Sequence, residues 1–64
     1  MASRTGVPTI IHSTNKLNIF MVSHNAKIKQ LYPSDNDLAA KLDAALAANQ
    51  ALLLKLLQIW SVGD

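Results

Sequence analysis

His12 and His24 carry the side chains best suited to acid–base or metal chemistry in this 64-residue chain. Neither stands at helical or hairpin spacing from a carboxylate, serine or thiol, so no catalytic dyad, triad or metal cluster can be drawn around them. Two ordinary, partly exposed histidines are the expectation. Asp35, Asn36 and Asp37 match the opening of a calcium-binding loop, but the glycine and distal glutamate of such a loop are missing, and helix capping explains them better. Only Gly6 and Gly63 are glycines, so no glycine-rich loop exists to cradle a phosphate. The absence of cysteine excludes disulfides, thiolate nucleophiles and Cys-based metal sites. Four aspartates without a glutamate add too few ligands for a zinc framework. The residues therefore nominate no catalytic group, no metal and no cofactor, and the chain reads as a non-enzyme.

Two binding chemistries deserve weighing. Lys16, Lys27 and Lys29, with His24 and Tyr32, form a candidate basic-aromatic patch for nucleic acid. Residues 1–32 carry four positive charges and no acid, whereas residues 33–64 carry four aspartates against Lys41 and Lys55. Four charges over half the chain are thin for a nucleic-acid footprint, and a solvated helix face is the plainer reading. A small dimeric helical regulator remains the alternative that this patch supports. The opposite charges of the two halves also suit attraction between neighbouring copies. Residues 44–62 are long enough to span a bilayer, with Trp60 near one end, but Lys55, Asn49, Gln50 and Gln58 fall inside that window. A single-span membrane peptide is accordingly the third reading.

The elements that must position these residues divide at Pro33. Proline cannot donate to a helix and pushes Tyr32 away from helical geometry, so one element should end there. Ser34 is positioned to cap a following helix, with Asp35 and Asp37 over the positive end of its dipole. Fifteen of the twenty residues 38–57 are Leu or Ala, and neither Gly nor Pro intervenes before Gly63, which fits a C-terminal stop. A helix from about residue 35 to about residue 61 would be roughly 40 Å long.

Ala39, Leu42, Leu46, Asn49, Leu53, Leu56 and Trp60 recur at 3-4 spacing, a heptad seam. Leu38, Leu42, Ala45, Asn49, Leu52, Leu56 and Ile59 form a second, overlapping seam, and the opposite face holds Asp37, Lys41 and Lys55. Asp37 and Lys41 make a favourable i, i+4 pair. The two seams give an apolar arc wider than a two-stranded stripe needs, which favours a trimer or higher, or a flank covered by the chain's own front half. The expected oligomer interface is Leu38, Leu42, Leu46, Asn49, Leu53, Leu56 and Trp60. Asn49, polar at a core position, either fixes register or sits at a rim in water.

The front half is ambiguous. Residues 7–12 and 17–22 are rich in β-formers, and Ser13-Thr14-Asn15-Lys16 between them reads as a four-residue turn. The rival is a helical stripe of Leu17, Phe20, Met21, His24, Ile28, Leu31 and Tyr32, which makes the chain a two-helix hairpin bent at Tyr32-Pro33. Asn18, Ile19, Val22 and Asn25 are poor helix residues and tip the reading towards an extended arm with β-hairpin character. The expected organisation is mainly α: a docking arm over 1–22, a short helix and Pro-terminated turn over 23–33, and an oligomerising helix over 34–62. Val7, Ile10, Ile11, Ile19 and Phe20 are the arm's expected docking residues.

A chain of this length with half its residues apolar usually needs a staple or a partner. The N-terminal stretch has no sustained apolar run of a secretory signal, so a cytoplasmic or virion-associated protein is expected. The plan of docking arm plus oligomerising helix resembles that of small virion components, such as capsid decoration, fibre or connector proteins. The expectation is a structural protein whose partners are its own copies and a larger protein assembly.

Overall fold

The structure, a computed structural model, describes residues 6–62. Two helices form an antiparallel hairpin: α1 spans Val7–Leu31 and α2 spans Asn36–Val62, with no strand among the described residues. The two-helix alternative fits, and the extended arm and β-hairpin do not appear. Residues 7–22 are helical throughout, so the turn expected at Ser13–Lys16 is continuous helix, and Val7, Ile10, Ile11, Ile19 and Phe20 all lie on α1. Residues 1–5 of the expected arm, and Gly63 as the expected stop, lie outside the described residues.

Tertiary packing overrides β propensity in α1. Each β-branched residue costs a helix only a few tenths of a kcal/mol. Val7, Ile11, Thr14, Asn18, Met21, Asn25 and Ile28 recur at 4-3 spacing, and every one of them is at least half-buried. That stripe meets α2 along its length. Pro8 is harmless because it occupies the first turn, where its missing N–H has no intrahelical partner. Gly6 provides no side-chain cap, but its carbonyl accepts from Ile10 N–H at 3.1 Å.

The reversal is tight. Tyr32 N–H closes α1 on Ile28 O at 3.0 Å, and Asp35 N–H bonds Tyr32 O at 3.2 Å across Pro33 and Ser34. The cap of α2 is Asp35 rather than Ser34: its Oδ1 accepts from Leu38 N–H at 2.9 Å, and its carbonyl accepts from Ala39 N–H. Asp37 follows in the first turn and pairs with Lys41 at 2.6 Å, the i, i+4 contact that the spacing predicts.

On α2, Ala39, Leu42, Leu46, Asn49, Leu53 and Leu56 are the half-buried or buried stripe, so the first of the two sequence seams is the one that faces α1. The layer between the helices is unusual in kind. No apolar side chain is fully buried among the described residues; the buried ones are Thr14, Asn25 at 5% exposure, and Asn49. Asn25 Nδ2 donates to Leu42 O at 2.9 Å, and Asn49 Nδ2 donates to Thr14 O at 3.4 Å. Asn49 is thus a seam residue that bonds across the hairpin, not a rim residue. Two amides pin the helices at two heights.

Asn18 is the exception in this layer, because its Oδ1 is buried with no hydrogen-bond partner. An unsatisfied buried acceptor costs about 1–3 kcal/mol. Asn18→Leu removes that cost and adds apolar contact, so it should raise the thermal midpoint by at least about 4 °C. Thermal unfolding followed by circular dichroism checks this; a lowered midpoint would show that Asn18 is needed where it stands.

Candidate functional site

The residues proposed for chemistry do not converge. His12 and His24 lie on the same helix, about 18 Å apart at 1.5 Å per residue. No group of three or more metal-ligating side chains occurs among the described residues. His24 instead stacks on Phe20, with ring centroids 5.4 Å apart, and its Nδ1 lies 3.3 Å from Asn25 Oδ1. That contact orients the amide whose Nδ2 reaches α2. Lys29 pairs with Asp43 at 2.5 Å, so one of the three lysines of the basic patch is already matched with an acid. Lys16 and Lys27 are exposed and about 16 Å apart along α1. Asp35 caps α2, and Asp37 in its first turn is paired with Lys41.

The expected interface residues divide between two surfaces. Leu42, Leu46, Asn49, Leu53 and Leu56 turn towards α1 of the same chain, while Leu38 is half-buried at the edge near the turn. Trp60 continues the seam spacing at the far end and remains 41% exposed. Ile10, Ile19 and Phe20 are exposed, and Val7 and Ile11 belong to the interhelical layer.

Register defines two flanks. Lys29 follows Ile28 of the α1 stripe, and Asp43 follows Leu42 of the α2 stripe; these two meet. Residues one place after a stripe residue therefore share one side of the hairpin, and residues one place before share the other. The first side carries the Lys29–Asp43 pair with Asn15, Gln50, Val22 and Leu57. The second side carries Ile10, Leu17, His24 and Leu31 from α1. From α2 it carries Leu38, Ala45, Leu52 and Ile59. Lys27, Lys41 and Lys55, one place before Ile28, Leu42 and Leu56, lie along its outer edges. Ile10, Leu17, Leu31, Leu52 and Ile59 are all exposed, and Phe20 extends the surface outward beside His24.

This flank was half-visible in the sequence. Leu17, Phe20, His24 and Leu31 belong to the helical stripe named above, and Leu38, Ala45, Leu52 and Ile59 belong to the second seam of α2. Thr14, Asn18 and Asn25 were not recognisable as contact residues, because polar side chains add nothing to a hydrophobic period. Their own 4-3 spacing with Ile11, Met21 and Ile28 is the signal that would have found them.

No family model matches the chain, and neither a curated protein nor a solved structure matches it.

Proposed function

We propose that the chain is a non-enzymatic structural protein that self-associates and serves as a helical building block of a larger assembly, a role of the kind that small virion components fill. One observation carries the reading. The hairpin buries amides between its helices, leaves large apolar side chains such as Leu17, Phe20, Leu52 and Leu54 exposed, and has no fully buried apolar residue among those described. Apolar surface of that extent is what association covers. The docking role assigned to residues 1–22 passes to the exposed apolar side chains of α1, because the segment from Val7 onward is helix rather than arm.

Sedimentation equilibrium at micromolar concentration tests the reading. The expected mass is at least twice 6.9 kDa, in whole-number multiples. A stably helical species of 6.9 kDa at that concentration would sink the proposal.

A second reading has an observation of its own. Asn36–Val62 is long and apolar enough to cross a membrane by length and composition. Against it stand Lys41 and Lys55, exposed on that helix. Flotation with phosphatidylcholine vesicles separates the two readings: a protein that stays at the bottom of the gradient supports assembly through protein contacts, and one that floats supports the membrane.

A further inference from the structure

We infer that a second copy of this chain seats on the flank of the hairpin bearing Leu17 and Leu52, so that two hairpins pack face to face as a four-helix bundle with Lys27, Lys41 and Lys55 at the rim. The inference rests on the self-association reading and adds to it the face that associates.

Area argues for the occupant. A folded monomer of this mass exposes roughly 4,000 Å², whereas this chain exposes 4869 Å². The excess, about 900 Å², matches the roughly 800 Å² that each partner contributes to a stable interface of standard size. The hairpin is a rod, 48 Å long and 16 Å in each other direction. A long flat side of such a rod is the only surface large enough to supply that area.

Composition chooses between the two long flanks. The interior of an interface is depleted in charge, while charge is tolerated at its rim. The side marked by Lys29 and Asp43 carries Val22 and Leu57 too, but it sets an ion pair, Asn15 and Gln50 directly beside the stripes, and these polar groups would lose water on docking. The other side runs Ile10, Leu17, His24, Leu31 along α1 and meets Leu38, Ala45, Leu52 and Ile59 along α2, with Lys27, Lys41 and Lys55 only at its outer rim. Its one ring nitrogen pair belongs to His24, whose Nδ1 is already engaged by Asn25 and whose ring is stacked on Phe20. The seven-residue period repeats on both helices, so an identical face can interdigitate with itself, as a two-fold interface requires. Neighbouring helices in such a bundle run antiparallel, the arrangement that opposes their dipoles.

The chain lacks cysteine, which makes single thiols clean reporters. Leu52→Cys places a thiol on the mating flank, and Leu54→Cys, one place after Leu53, places one at the outer edge of the opposite flank, where Leu54 is 66% exposed. Alkylation by iodoacetamide should slow at least about tenfold for Leu52→Cys when the protein is concentrated from nanomolar to high micromolar, while Leu54→Cys should react at one rate throughout. In parallel, Leu17→Asp with Leu52→Asp should weaken association at least about 100-fold by sedimentation, and Ile19→Asp with Leu54→Asp should leave it within a few-fold. The thiol measurement stands even where the aspartate pair prevents folding, because Leu→Cys is a mild change. An oligomer in which Leu54→Cys is protected and Leu52→Cys is not would overturn the face assignment alone. A monomeric wild-type chain would overturn the self-association reading beneath it.

Discussion

Asn25→Asp should unfold the hairpin at neutral pH. The substitution changes one group for another of nearly equal shape, yet it replaces the donor that reaches Leu42 O with an acceptor aimed at the same carbonyl. The position is 5% exposed, so the new carboxylate would sit desolvated. His24 Nδ1 serves only the other oxygen of the group. Leaving a buried charge without compensation costs about 3–5 kcal/mol. A domain of this length has only about 3–10 kcal/mol of stability in total, so the loss is comparable with the whole. The sign with pH is fixed by linkage. Burial against a carbonyl raises the carboxyl's affinity for a proton in the folded state, so the folded form binds more protons than the unfolded one and stability increases as pH falls. Helicity of the variant should therefore be largely lost at pH 7 and partly regained near pH 4, measured relative to wild type at each pH. A variant as helical as wild type at pH 7 would show that the Asn25–Leu42 contact does not hold the helices together.

A hundredfold dilution of the wild-type protein should lower its melting temperature by on the order of 10 °C. If most apolar burial is between chains, folding and association are one equilibrium, and concentration enters stability by mass action. A factor of 100 in the concentration of the partner is worth about 2.7 kcal/mol. Spread over the unfolding entropy of a pair of such chains, that energy gives the stated shift. Circular dichroism melts at several concentrations measure it. A midpoint independent of concentration would mean that each hairpin is stable alone, despite having no fully buried apolar residue.

The two halves of the chain differ in how far their structure could be anticipated. In α2, Leu and Ala set both the propensity and the period, and helix limits, the Asp37–Lys41 pair and the stripe facing its neighbour all follow from spacing. What that spacing does not contain is the identity of the neighbour: Leu42, Leu46, Leu53 and Leu56 look the same to a helix of another copy as to α1. In α1, local preference and tertiary contact disagree. Ile19 and Val22 favour strands, and Asn18 and Asn25 favour turns, but Asn25 becomes a good helix residue once Leu42 O is placed within its reach. A partner of that kind on the other helix has no local trace. The cap shows the same limit on a smaller scale, since Ser34 and Asp35 have equal claims until the turn sets which side chain points back at Leu38 N–H. The flank that carries Leu17 and Leu52 required register, which the Lys29–Asp43 pair provides.

The two amide contacts, Asn25 to Leu42 and Asn49 to Thr14, have a mechanical consequence. Leucines on facing helices tolerate sliding by a turn, because one greasy contact is much like the next. Directional bonds do not. A rod bolted at two stations resists both shear along its length and torsion about it, so the outer surfaces of the hairpin keep a constant bearing to each other. A part with rigid, reproducible faces is what repetitive construction needs, and here that stiffness comes from polar rungs rather than from a thicker greasy interior.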